Sequence, residues 1–444
     1  MFKSFQWKRN IPLATPVIIG QLGHIVTSIA DSVMVGQLGV IPLAAVSLVS
    51  SVTSVPLVFG VGIAYGLTPM VAKAAGQKRW TKAYRLLKNS TLLNVFSSVF
   101  MLVFAWVLFI VVSKTGQSQD VIIESTVYLK LIIISYIPFM IFLSGKQYLE
   151  GLGNTKTPMK ISLLGNLLNV FLNSLLIFGL FFFPSFGIIG AGIATILARI
   201  WMAIHVWFFV LKKDRGDSEI QTDIGFSYTI VRSLIKIGLP SGLQYVFEVS
   251  AFAASAWIIG TYGPIQLAAH QIAINLASIS WMAATGFGAA GTIRIGQLLG
   301  AKKGKEAFNA GKSLFYLTLT LMTITGILFY SLRNFLPSFY TDDLQVISAA
   351  SSLLIIATFF QVSDGLQATA LGVLRGIQDV KIPTVISFVS YFIIALPLEW
   401  LFGTYCGLGS FGVWIALAIG LTISAILLTK RFNQKFSELE IKNT

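Results

Sequence analysis

Long apolar runs of about 20 residues, separated by short polar breaks, organise the whole chain. Twelve are legible, beginning near Pro12, Leu43, Asn89, Thr126, Pro158, Gly187, Ser233, Leu267, Ala310, Gln345, Pro383 and Leu408. Runs of that length cross a hydrocarbon core as helices, because a helix satisfies its backbone N–H and C=O groups internally. A membrane barrel would need ten-residue strands of alternating polarity, which these continuous runs are not. The pattern predicts an all-α membrane protein with twelve transmembrane helices in a lipid bilayer.

Composition agrees: 55% of the 444 residues are hydrophobic, 11% are charged, and mean hydropathy is +0.80. A net charge of +15 would suit a nucleic-acid partner, but the basic residues form short clusters between apolar runs, with no folded domain to present them to a duplex. They report orientation instead. Of the 32 Lys and Arg residues, 28 lie in the N-terminus, the even-numbered connections and the C-terminus, for example Lys78, Arg79 and Lys82; Lys114 and Arg333 alone mark the odd-numbered ones. The positive-inside rule then places both termini in the cytoplasm of a multi-pass protein of the cell (inner) membrane. Lys130 and Arg199 fall within spans; a helix-end carbonyl or Glu150 is the expected partner of Arg199. The opening "MFKSFQWKRNIPLATP" has no small-residue cleavage site after a short apolar core, so no removable signal peptide is expected. One cysteine, Cys406, excludes an intrachain disulfide and a multi-cysteine metal site.

A shift of 224 residues superposes "TPVIIGQLGHIVTSIADSVMVGQLGVIPLAA" on "LPSGLQYVFEVSAFAASAWIIGTYGPIQLAA", bringing Pro16 onto Pro240, Gly36 onto Gly260 and Gly39 onto Gly263. One further residue of shift sets "GLGNTKTP" at Gly151 against "GIQDVKIP" at Gly376. The halves are copies. Each holds six spans, an even number, so the repeat is parallel, with its pseudo-two-fold along the membrane normal. The expected organisation is an N-lobe at residues 1–211, a cytoplasmic linker at 212–232, a C-lobe at 233–430 and a cytoplasmic tail at 431–444.

Four of the 17 acidic residues lie in the apolar spans: Asp31, Glu248, Asp364 and Glu399. A charge at bilayer depth costs roughly 2.5–3.5 kcal/mol on insertion scales, so such groups mark functional sites by default. The ordinary alternative is a buried carboxylate held by Ser, Thr or amide neighbours, or kept protonated. Glu399, in "LPLEWLFG" beside the outer interface, reads as a snorkelling interfacial group as readily as a site residue. In span five, "LLGNLLNVFLNSLLIFG" sets Asn166, Asn169 and Asn173 on one helical face; they suit inter-helix hydrogen bonding and cation ligation equally. Thr195 adds a hydroxyl from span six. Asp31 with two amide oxygens and that hydroxyl would form an oxygen cage for a hard cation or a proton. "LAAHQIAINLAS" offers His270, Gln271 and Asn275 as cavity candidates with Gln361, although a lone His270 is more often a hydrogen-bonded packing residue.

Signatures of enzyme chemistry are absent: no GxxxxGK[ST] loop, no zinc-spaced His/Cys cluster and no strand-borne GxSxG. No enzyme activity and no cofactor are expected, and the driving force must come from an ion gradient.

Across essentially its whole length the chain resembles the multidrug and toxic compound extrusion (MATE) family, in its NorM-like branch. The resemblance rests on "IADSVMVGQLG", "FEVSAFA", "AAHQIAIN", "RIGQLLG" and "VSDGLQATALGVLRGIQD", in the family's order and spacing. It implies two six-helix lobes around a central cavity and an antiporter, coupled to sodium or protons, that expels cationic amphipathic small molecules as a monomer. The residues implied are Asp31 with Asn169, Asn173 and Thr195 in one lobe, and Glu248 with Asp364 in the other, the latter pair as ligands of sodium or a proton. One departure is Asn173, where some relatives carry an acid; the amide implies weaker cation binding in the N-lobe. Two rivals remain. A flippase for a lipid-linked sugar would line its cavity with Arg and Lys, whereas the deep charges here are mainly acidic. A non-transporting receptor would lack the repeated carboxylates.

Overall fold

The structure, a computed structural model, describes residues 6–180, 184–214 and 225–441. Among these residues all regular structure is helical, and twelve helices are long and apolar enough to cross a membrane. Spans one to six run Trp7–Gly36, Val40–Gly76, Trp80–Ser113, Gln119–Gly151, Lys156–Phe178 and Ile188–Lys212. Spans seven to twelve run Tyr228–Gly260, Pro264–Gly300, Gly304–Leu332, Leu344–Gly376, Lys381–Tyr405 and Gly409–Glu438. Several helices start before their apolar runs, at Trp80 rather than Asn89 and at Gly304 rather than Ala310. A helical hydrogen-bond ladder has no reason to stop where apolar side chains do, so basic first turns such as Lys82 and Arg85 continue the rod.

The described residues group into two compact units: Ile19–Gly242, and the residues up to Ile18 together with those from Leu243 onward. The changeovers, after Ile18 and after Gly242, fall inside spans one and seven and are 224 residues apart, the same shift that superposes the halves. Of the expected linker, residues 212–232, the stretch 215–224 lies outside the described residues, and 228–232 already form the start of span seven.

Within Ile19–Gly242 the core is built on Leu67, Leu86, Leu87, Met101, Tyr136 and Met140, each about 1% exposed or less. Span two crosses the first half of span seven through two pairs of glycines spaced four apart. A Cβ on Gly62 would lie 2.3 Å from the Gly242 Cα, and one on Gly66 would lie 2.9 Å from the Gly238 N. In lipid no hydrophobic effect draws helices together, so such small-residue crossings gain their stability from close van der Waals packing. The second unit has its own crossing, where a Cβ on Gly372 would lie 2.2 Å from the Gly288 carbonyl oxygen. Trp414, Phe360, Tyr391 and Phe432 fill its core.

The duplication extends to hydrogen bonds. Thr68 donates to the Gln147 carbonyl (3.4 Å) in one unit, and Thr292 to the Gly372 carbonyl (2.7 Å) in the other. Asn94 donates to Ser144 (2.8 Å), and Thr318 pairs with Thr369 (2.7 Å) at the matching positions. The ends of spans two and eight close on left-handed residues, Lys78 (φ 58°) and Lys302 (φ 60°); those of spans four and ten close on Gly153 (φ 89°) and Gln378 (φ 67°). Each of these amides donates back into the last turn, as a helix C-cap requires. Three spans are irregular: span two breaks at Tyr65–Gly66, span four breaks at Ser135, and span eleven carries π-helical segments at Val389–Ala395 and Leu401–Tyr405.

Candidate functional site

Each unit carries its own polar cluster at membrane depth. In Ile19–Gly242, span one supplies Asp31, span five Asn169 and Asn173, and span six Thr195. The Asn173 amide nitrogen donates to Asp31 Oδ1 at 2.5 Å and reaches Asn169 Oδ1 at 3.4 Å. Asn169 in turn donates to Thr195 Oγ1 at 3.4 Å. The four residues expected to cooperate are therefore one connected network. Its polarity differs from the oxygen cage expected from sequence: the Asn173 nitrogen, not its oxygen, faces the carboxylate, because an unpaired carboxylate at depth takes the nearest N–H donor. The Asn173 oxygen is left buried without a partner. Asn166 lies apart, against Gly23.

Arg199 stands one turn beyond Thr195 on span six. It does not meet Glu150, whose basic neighbour is Lys146 at 3.9 Å. Its Nη1 donates to Ser135 Oγ at 2.6 Å, and its guanidinium lies over the Phe139 ring at 4.8 Å. The break in span four is what frees Ser135 to receive it. Asp31, Tyr128 and Tyr136 lie within electrostatic range of this cation. Sequence reasoning missed Tyr128 and Ser135; the signal available was the four-residue spacing of Thr195 and Arg199.

In the second unit, Glu248 and Asp364 are 8% and 4% exposed and within electrostatic range of each other. Neither is ion-paired among the described residues. The Trp281 indole donates to Glu248. Asp364 Oδ1 is buried with no hydrogen-bond partner. Tyr391 lies in range of both carboxylates, and its hydroxyl is held by Gln367 at 2.5 Å. Gln367, a polar neighbour of Asp364 already visible on span ten, and Tyr391, which was not singled out in the sequence, both belong to this cluster. Among the described residues no three His, Cys, Asp or Glu side chains are placed to hold a metal ion, so a cation here would draw its remaining ligands from amide, hydroxyl or carbonyl oxygens.

The other candidates separate. Gln361 accepts from Thr325 at 3.2 Å and leaves its amide nitrogen unpartnered. Gln271 and Asn275 pair at 3.3 Å on an exposed face of span eight. His270 is buried, and its Nδ1 accepts from the Trp414 indole at 3.1 Å, as a packing residue would. Of the two readings open for Glu399, the interfacial one does not fit. The side chain is fully buried and accepts from Ser255 at 2.9 Å, because the π segments of span eleven turn it inward rather than toward the headgroups.

A family model described as MatE matches residues 16–175 and 240–401. A Halalkalibacterium halodurans protein named "Probable multidrug resistance protein NorM" is 33% identical over 430 residues, 96% of this chain and 93% of that one. An Agrobacterium fabrum protein of the same name is 30% identical over 434 residues, again covering 96% and 93%. Two solved structures share the fold. A MOP superfamily transporter from Pyrococcus furiosus superposes with a TM-score of 0.89 at 21% identity, covering 98% of this chain and 96% of that one. The eukaryotic MATE transporter AtDTX14 gives 0.86 at 18% identity, covering 98% of both.

Proposed function

We propose, from the premise that the chain belongs to the MatE family, that it is a cation-coupled antiporter expelling organic cations. Membership itself makes it a multi-pass membrane protein of the multidrug-efflux class; coupling, charge preference and orientation are what we add. The observation that carries the reading is the Glu248–Asp364 pair. Two carboxylates in one another's range, buried and without an ion-pair partner, hold their charge only at a desolvation cost. That cost is offset when a proton, a sodium ion or a cationic substrate binds between them. Competition among those partners for one pair exchanges one positive species for another across the membrane. The Asp31 network gives the other unit a second carboxylate for the same exchange.

On this reading the protein works as a monomer in the cell (inner) membrane with both termini cytoplasmic, as the basic connections indicate. Its substrates are amphipathic cations with aromatic rings, because acidic groups in a partly dry site favour positive charge. Mutagenesis in a drug-sensitised strain tests it: Glu248→Gln and Asp364→Asn should each abolish resistance while leaving the amount of protein in the membrane unchanged. Wild-type resistance from both variants would remove the pair from the mechanism.

A further inference from the structure

Of the four carboxylates in the apolar runs, Glu399 is the one that the antiport reading leaves unused. It lies on span eleven between the two π-helical segments, where Leu396 N donates to Tyr391 O and Cys406 N to Leu401 O. These five-residue steps interrupt the regular ladder, a local change that recurs at functional sites. Its side chain is fully buried. Oε1 accepts from Ser255, also fully buried. Oε2 has no partner. A residue retained only to join spans seven and eleven would need one acceptor, which a neutral amide supplies as well; the second, open oxygen calls for a ligand.

Two features give that ligand a route. One turn toward the nearer helix ends, Gly403 abuts Tyr262, where an added Cβ would lie 2.5 Å from the phenol oxygen. The same hydroxyl pairs with Thr404 Oγ1 at 2.8 Å. Tyr262 also lines a cavity of about 630 Å³ with Pro264, Gln266, Gln345 and Ser348. In the other direction, Ser255 shares a face of span seven with Glu248, two turns or roughly 10 Å deeper. Along span seven, Ser255, the partner of Glu399, thus lies midway between Tyr262 at the cavity and Glu248.

The ligand is small. Two carboxylate oxygens and one hydroxyl fall short of the six or so oxygens that a hard metal cation gathers. No basic side chain is paired with Glu399 among the described residues. On the stretches of the surrounding elements within about two turns of Ser255 or Glu399, the titratable groups are Glu248 on span seven, Tyr262 just beyond its end, and Tyr391 and Tyr405 on span eleven; span eight adds His270, already bonded to Trp414. Span twelve presents none between Gly409 and Leu428. We propose that Glu399 is an exchangeable proton site, loaded at Oε2 from the Tyr262–Ser348 cavity and standing ahead of the Glu248–Asp364 pair. The step is carboxylate plus proton giving carboxylic acid, with water in the cavity as donor and acceptor. This rests on the antiport reading only for its use, not for its existence.

Proton counting tests it without substrate or gradient. The purified full-length protein is titrated from about pH 8.5 to about pH 4.5, a window that spans ordinary carboxylates and their raised forms. Glu399→Gln preserves the acceptor for Ser255 and should take up one proton fewer per molecule than wild type; equal uptake overturns the proposal. If that variant fails to fold, wild type is treated with a hydrophobic carbodiimide, which modifies protonated carboxyl groups in apolar surroundings. Mass spectrometry should then find modification of Glu399 rising on acidification, and modification that does not change across the window overturns the proposal. Ser348→Trp, filling the cavity, should slow that modification several-fold, and an unchanged rate overturns the entry route. Failure of Glu248→Gln to abolish resistance would leave these results unaffected, so the two readings fail separately.

Discussion

At the residue scale the decisive contact is the 2.5 Å hydrogen bond from Asn173 to Asp31. An amide there neutralises nothing; it satisfies the carboxylate while leaving its charge in place. Asn173→Asp would set two carboxylates within contact distance, which is tolerable only with a proton or cation between them. The variant should therefore be stabilised by saturating sodium or by acidification by about 2–3 kcal/mol more than wild type, as for a ligand near a hundred times its dissociation constant. Thermal melting in matched buffers checks this; a variant no more responsive than wild type contradicts it. Asn169 and Asn173 were legible in the sequence because polar residues four apart on an apolar helix share a face, and Asp31 because a carboxylate stands out in an apolar run. Which atoms of Asn173 faced Asp31 was not, since an amide offers donor and acceptor alike. The Arg199 partner was equally hidden: Ser135 is 64 residues away and accessible only because span four breaks there.

At the element scale, glycine decides how closely helices cross. Gly62 meets backbone of span seven at 2.3 Å from an added Cβ, and backbone has no rotamer with which to give way. Gly20 meets only the Met159 Cα at 4.0 Å. Gly62→Ala should cost at least the upper end of the ~1–3 kcal/mol typical of overpacking, whereas Gly20→Ala should be near neutral or slightly stabilising through helix propensity. Melting of the two purified variants in one detergent compares them, and equal midpoints would contradict the crossing as described. The helices and their order were readable from apolar length alone. The π segments inside span eleven were not, because a 3.6-residue period does not show where the ladder takes a five-residue step. Glu399, which its sequence position left open between an interfacial group and a site residue, is buried against Ser255.

At the scale of the whole molecule, duplication is the organising fact. The shift of 224 residues visible in the sequence returns in the unit boundaries after Ile18 and Gly242, in the Thr68 and Thr292 hydrogen bonds and in the left-handed caps. What the repeat does not duplicate is the chemistry: a carboxylate with amides and a hydroxyl in one unit, a carboxylate pair with a tyrosine in the other. Such asymmetry suits a machine in which one kind of positive ligand displaces another, and it locates the central claim in coupling rather than in binding. The most direct measurement is transport by purified protein in proteoliposomes, with sodium and proton gradients imposed separately. The probe is a planar aromatic permanent cation, set against an anionic analogue of the same size. The account predicts that at least one gradient drives uphill movement of the cation against the ion flow, that the anion stays put, and that Glu248→Gln abolishes the effect. Cation movement that proceeds equally without either gradient, or equal movement of the anion, would contradict it.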